Sequence, residues 1–241
     1  MPSAKTVLHS LSFVAQVAAI VFAMKSFAVA SHYIPSESMV PTLEVGDRIA
    51  VMKWPYGYSH HSLMIDPGVS APTADGRVFS SLPARGDVAV FTHPRSGETM
   101  IKRVIGLPGD RIALYRGRLF INGALTPRIE RAAYRYREYK GGVAAVTRYD
   151  ETLPGGKTHA IIERTDTGFA DDMAEVAVPA NHLFMMGDNR DNSADSRFTQ
   201  MGFVPVENLQ GRADLIGWSL YSCAAEAGLK CGERRALTAI D

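Results

Sequence analysis

The sequence predicts an all-β domain of antiparallel sheets, with a smaller β-subdomain, preceded by one apolar N-terminal helix. Three observations carry this. Short apolar or alternating runs recur between Gly-Asp, Arg-Gly and Pro-Gly turns, which is the pattern of strands and tight connections. Helical periodicity is nearly absent beyond residue 30. The 241 residues, 46% hydrophobic and 21% charged, suffice for one good-sized domain or two small ones. A net charge of +1 predicts no nucleic-acid partner.

Val7 to Ala30 is the candidate membrane segment. Leu8 to Met24 carries no formal charge and lies at the short end of the about 17–25 residues that span a bilayer. Lys25 closes it and can snorkel to the interface. A single-pass anchor and a cleaved signal peptide both fit, and a buried core helix fits least. Ala28-Val29-Ala30 has the A-x-A form of a cleavage site. Either export reading puts the rest of the chain outside the cytoplasm. The few positive charges before the span favour an inside N-terminus.

Two serines follow, one residue apart, in Pro35-Ser36-Glu37-Ser38-Met39-Val40-Pro41-Thr42-Leu43. The prolines fix their own φ and push the preceding residues toward extended geometry. Ser36 and Ser38 are thus presented on a stiff turn, as a nucleophilic hydroxyl requires. Gly46-Asp47 then turns into a strand over 48–52. Residues 54–83 lose periodicity and read as a long loop or irregular hairpin. Trp54, Tyr56 and Tyr58 there either meet lipid headgroups or pin the loop to its own domain. His60 and His61 are adjacent with no spaced partner, so no metal is expected.

Gly86-Asp87 leads into a buried strand over 88–91, and Thr99–Ile105 forms the next. Alternation puts Met100, Lys102 and Val104 on one face, with Ile101, Arg103 and Ile105 on the other. Arg103 reads as an edge or rim charge. Lys102 stands between apolar neighbours, where burial lowers a lysine's pKa. A neutral lysine is a competent base for a serine. Residues 111–115 and 118–122 flank Arg116-Gly117 as a hairpin. The stretch from Ala124 to Gly156 interleaves Arg128, Arg131, Arg135, Arg137, Lys140 and Arg148 with tyrosines. It reads as a solvated strand face before it reads as a lipid-binding patch. Strands follow at 159–163, 175–178 and 182–186.

Residues 187–197, Gly-Asp-Asn-Arg-Asp-Asn-Ser-Ala-Asp-Ser-Arg, are too polar for a core. Asp191, Ser193 and Asp195 have alternate spacing, but Ser196 and Gly202 stand where a calcium loop needs Gly and Glu. Calcium is rejected. Ser193 can offer its hydroxyl to a lysine amine, and Asp195 and Arg197 can pair and fix the loop. Cys223 and Cys231 close a small disulfide loop in an oxidising compartment or stand as separate thiols.

Four of these stretches, in this order, closely resemble type I signal peptidase, the membrane-bound Ser/Lys leader peptidase of bacteria. They are Ile34–Thr42 after the apolar segment, Gly86–Phe91, Ile101–Asp110 and Gly187–Arg197. The resemblance implies Ser38 as nucleophile and Lys102 as general base. It implies an oxyanion hole from Ser36 and the Ser38 N–H, orientation of Lys102 by Ser193, and support from Asp195 and Arg197. It implies no cofactor and no metal. The partners would be signal peptides of exported pre-proteins and membrane lipid, with the catalytic domain outside the bacterial inner membrane. Glu37 and Met100 depart from the residues common at those positions and bear on pocket shape. Ile34, Met39, Leu43, Val90 and Ile101 are candidates for shallow substrate pockets, with Pro35 and Met100 bordering the cleft. Expected bounds are a 1–6 cytoplasmic start, a 7–30 anchor, a catalytic domain from 31–110 and 181–241, and a variable subdomain at 111–180. A plasmid-transfer maturation peptidase with the same dyad, or a non-enzymatic tethered β-module that binds peptides, are the rival readings.

Overall fold

The computed structural model describes residues 4–138, 141–220 and 235–240. Helix α1 (Ala4–Ala23) continues through a wider turn at Met24–Ala28. Lys5–Ala28 is long and apolar enough to cross a membrane, and its side chains are exposed as far as Lys25, with Ser26 buried where the helix meets the domain. Its apolar side chains face outward all round, as a helix meant for lipid requires.

Numbered along the chain, the first strands are β1 (Val29–Tyr33), β2 (Asp47–Met52), β3 (Val88–Thr92) and β4 (Thr99–Gly106). Then come β5 (Arg111–Tyr115), β6 (Arg118–Ile121), β7 (Ala124–Leu125), β8 (Arg128–Glu130) and β9 (Tyr134–Arg137). They are followed by β10 (Val143–Thr152), β11 (Thr158–Glu163), β12 (Met173–Ala177) and β13 (His182–Met186). The last described strands are β14 (Val204–Pro205), β15 (Leu209–Ser219) and β16 (Ala236–Ala239).

The main sheet runs β1-β2-β15-β3-β4-β13-β14, with β16 also on β15. Its pairings are antiparallel. Both faces of β3 are buried. Val88 and Val90 join Ile34, Met39, Leu43, Ile49 and Val51 in one cluster, while Ala89 and Phe91 join Val104, Met185 and Leu209 in another. Each of these side chains except that of Ala89 contributes about 1.5–3 kcal/mol by leaving water. The strands between residues 111 and 177 build two smaller four-stranded sheets, β12-β5-β6-β7 and β11-β10-β8 with β9 on β10.

The β5–β6 hairpin forms as expected, with Tyr115 opposite Arg118 and positive φ at Arg116 and Gly117, the turn that suits a tight hairpin. The apolar segment ends earlier than residue 30, because Val29 and Ala30 already pair with Met52 and Val51. Tyr56 is not at a headgroup surface. It is buried, and its hydroxyl donates to Asp87 at 3.1 Å, whereas Trp54 is exposed.

Arg128, Arg131 and Arg148 of the basic stretch are paired with carboxylates. Arg128 meets Glu163 at 2.5 Å and stacks on Tyr149, and Arg131 meets Asp150 at 2.8 Å. Tyr134 and Tyr136 are buried with Val40. Lys140, Cys223 and Cys231 lie outside the described residues.

Candidate active site

The chain leaves β1 and returns to β2 through a closed loop. Ile34 N–H donates to the Asp47 carbonyl and Gly46 N–H to the Ile34 carbonyl, both at 2.9 Å. Within it, Val40 N–H donates to the Glu37 carbonyl at 3.0 Å and Leu43 N–H to the Met39 carbonyl at 2.8 Å. The Val40–Pro41 peptide is cis. Met39 and Leu43 are buried pegs on either side of this turn. They hold Ser38 at the edge of the core while Pro35 and Ser36 stay exposed.

Lys102 comes to Ser38 from β4. Its residue pair on β3 is Ala89, and its side chain is 2% exposed. Nζ donates to Ser38 Oγ at 2.9 Å and to the Ile101 carbonyl at 2.9 Å. Burial lowers the Lys102 pKa to about 8, against the opposing pull of the Asp195 and Asp188 carboxylates. A lysine so placed can take a proton from the hydroxyl it touches. Ser36 Oγ lies 3.4 Å from Ser38 Oγ, beyond an ordinary hydroxyl hydrogen bond.

The 187–197 segment closes the site from behind. A Cβ at Gly187 would overlap the Ser193 hydroxyl and the Ser38 carbonyl, so only glycine lets these parts meet. Asn189 N–H donates to the Ser38 carbonyl at 3.1 Å, and its side-chain amide donates to the Glu37 carbonyl at 3.1 Å and the Tyr136 hydroxyl at 2.9 Å. Asp195 accepts from Gly187 N–H at 3.0 Å and from Arg197 Nε at 2.8 Å and Nη2 at 2.9 Å. Burial would raise the Asp195 pKa, but the Arg197 guanidinium holds it low. Ser193 is buried nearby. Among the described residues its hydroxyl makes no hydrogen bond to Lys102, which it was expected to orient, and it lies close enough to Asp195 to help hold that carboxylate's pKa low.

Arg103 is corrected from a rim charge to a fully buried one. Nε and Nη2 form a two-point pair with Asp188 at 2.8 and 2.7 Å, and Nη1 donates to the Gly86 carbonyl at 2.7 Å. Asp188 also accepts from Thr42 Oγ1 at 2.5 Å. Burial pushes the Asp188 pKa up, and the Arg103 guanidinium more than offsets this and holds it below the usual carboxylate value. This pair fastens the serine turn to the lysine strand. The sequence reading did not single out Asp188 or Asn189. Their place in the polar run beside Ser193 was the available signal.

Of the pocket residues, Ile34, Met39, Leu43 and Val90 are fully buried in one cluster, with Ile101 packed against them and partly exposed. They form a floor under Ile101 instead of open pockets. Met100 packs on the other cluster. Strand β13 pairs only with Arg103 to Gly106 of β4. Among the described residues, Thr99 to Lys102 therefore keeps one edge free.

A second polar group lies elsewhere. The spacing offered His60 and His61 no further ligand, but the fold brings Asp66 to both rings and Glu207 to His60.

The chain is similar to known proteins over most of its length. The family described as signal peptidase, peptidase S26, matches residues 7–218. A signal peptidase I of Pseudomonas aeruginosa is 39% identical over 211 residues, which cover 83% of this chain and 68% of that one. One of Rickettsia bellii is 35% identical over 213 residues, covering 84% and 70%. A solved signal peptidase I of Enterococcus faecalis is 28% identical, covers 55% of this chain and 97% of that one, and has a TM-score of 0.33, too low to add to the fold described above. With the family matched from the apolar helix to the end of β15, the chain belongs to the signal peptidase family, peptidase S26, and is a serine endopeptidase.

Proposed function

We propose that the chain is a membrane-anchored signal peptidase that cuts exported pre-proteins after small residues, with Ser38 as nucleophile and Lys102 as general base. The observation that carries this is the 2.9 Å approach of Nζ to Oγ at a lysine shielded from water. Once Lys102 loses its proton, the bond reverses and Oγ–H donates to Nζ. Ser38 attacks the scissile carbonyl as Nζ takes the proton. The ammonium then protonates the leaving amine, and water activated by the same lysine releases the acyl group. The Ser38 N–H and the Ser36 hydroxyl would receive the developing oxyanion, Ser36 by closing inward from its exposed position.

The free edge of β4 from Thr99 to Lys102 supports substrate binding as an added strand, antiparallel or parallel to it. Pro35 and Met100 would border that strand. Ile101, packed over the buried Ile34, Met39, Leu43 and Val90, would leave only shallow room beside that strand and favour alanine over larger side chains. Asp195, Arg197 and Ser193 would hold the lysine's surroundings. Lys5–Ala28 would anchor the domain, formed by 31–110 and 181–241 with a subdomain at 111–180, on the outer face of the bacterial inner membrane. The detergent-solubilised full chain, mixed with a pre-protein carrying an A-x-A site, tests this by N-terminal sequencing of the product. A new end directly after the second alanine is expected from wild type and none from Ser38→Ala. Cleavage that survives Ser38→Ala would refute the assignment.

A further inference from the structure

We propose that His60, His61 and Asp66 bind one divalent transition-metal ion of the zinc class, with Glu207 supporting His60 from behind. The site is separate from the serine and lysine and does not depend on their assignment.

The donors are brought together by local structure. His60 and His61 open a short 3-10 turn, His60–Ser62, whose start is closed by reciprocal bonds between Ser59 and Ser62. Their rings are tilted by 37° with centroids 3.8 Å apart, and the Nδ1 atoms of both face Asp66. Asp66 answers both, with Oδ1 2.7 Å from His60 Nδ1 and Oδ2 3.4 Å from His61 Nδ1. The donor atoms of the three residues all fall within 4.8 Å of one another. Bonds of about 2.0–2.1 Å to a tetrahedral ion put neighbouring donors roughly 3.3 Å apart, so small side-chain rotations suffice. Asp66 is itself steadied, since Gly68 N–H donates to its Oδ1 at 2.7 Å.

Glu207 is the second, independent sign. Its Oε1 is buried, has no hydrogen-bond partner among the described residues, and lies 3.4 Å from His60 Nε2. If His60 Nδ1 binds a metal, the ring's proton must sit on Nε2, where it faces that oxygen. Metal-bound histidines characteristically donate their other N–H to a carboxylate in this way. Two imidazoles and a carboxylate suit zinc, copper or nickel better than calcium or magnesium. The nearby cations are turned away: Arg77 to the carbonyls of Tyr56, Gly57, Val206, Glu207 and Leu209, and Lys53 to the carbonyl of Ser62. The ion would close the loop from Ser59 to Gly68 on itself, and His60 would tie it through Glu207 to the turn just before β15. Tyr58, at the base of that loop, donates to the Phe27 carbonyl at the end of the apolar helix. The clip would therefore steady the join between helix and domain.

The test uses the full chain in detergent, without a histidine tag, stripped with chelator and titrated calorimetrically with Zn2+. One equivalent should bind and raise the melting temperature. His61→Ala and Asp66→Asn should abolish both effects, and Glu207→Gln should weaken binding by about 10–100-fold. Metal-free melting of each variant, compared with metal-free wild type, separates lost binding from lost folding. Absence of saturable binding at one equivalent in wild type would overturn the proposal. So would binding of equal strength in His61→Ala and Asp66→Asn.

Discussion

At Lys102 solvation and chemistry pull in opposite directions. Burial lowers its pKa from 10.5 to about 8, which at a residue 2% exposed corresponds to about 3 kcal/mol. The same burial yields a useful fraction of neutral amine near neutrality. The sign follows from linkage. Below about pH 8 the folded state holds a buried ammonium and bears its full cost, and that cost fades as pH rises from about 8 to about 10.5. Lys102→Met should therefore be inactive yet more stable at pH 7, by up to about 3 kcal/mol, with the difference vanishing above about pH 10.5. Asp195 and Asp188 keep their own arginines in that variant, so no carboxylate is stranded. Urea denaturation at pH 7 and above 10.5 checks this, and a less stable variant at pH 7 would contradict it. Ser36→Ala should lower kcat by about 10²–10³ with little change in KM, as expected for a lost oxyanion donor. An effect confined to KM would make Ser36 a substrate-binding group.

Between elements, the Asp188–Arg103 pair joins the loop after β13 to β4, and Thr42 ties the serine turn to both. Removing one partner strands the other charge in the core. Arg103→Met should thus destabilise the protein by about 3–5 kcal/mol. Adding Asp188→Leu to it should restore much of that loss, and denaturation midpoints of the single and double variants decide. If the double variant is no more stable than Arg103→Met, the stranded-charge account fails. Strands β3, β4 and β13 and the β5–β6 hairpin were legible because their alternation is regular and their turns carry Gly, Asp or Arg-Gly. Strand β15, which sits between β2 and β3, was not. Its register shifts between Leu209 and Gly211, between Ala213 and Leu215, and between Ile216 and Trp218, so its apolar residues lose their period. Gly211 interrupts it further, where a side chain would strike the Met52 carbonyl. Strand β1 was hidden because it continues the apolar segment without a turn. Arg103 was misplaced because alternation tells which face a residue takes, not which partner waits there. Asp188 arrives from 85 residues away.

For the whole molecule, the apolar helix runs directly into the sheet that carries the site. Ala28-Val29-Ala30 has the form of a cleavage site, but Ala30 is paired with Val51, and Ser31 to Tyr33 continue that pairing. A cut after Ala30 would require this edge to open. The chain recovered from membranes should therefore lack a Ser31 start, and N-terminal sequencing that finds one as the dominant species would contradict a permanent anchor. The central claim is that a neutral Lys102 activates Ser38. Its most direct test is the pH dependence of kcat/KM for pre-protein cleavage by the full chain in lipid vesicles, beside Lys102→Arg. The account predicts a wild-type rate that falls about tenfold per pH unit below about 8. It also predicts no turnover by Lys102→Arg at any pH, since a guanidinium keeps its proton. Substantial cleavage by Lys102→Arg, or a wild-type rate flat through pH 8, would contradict it.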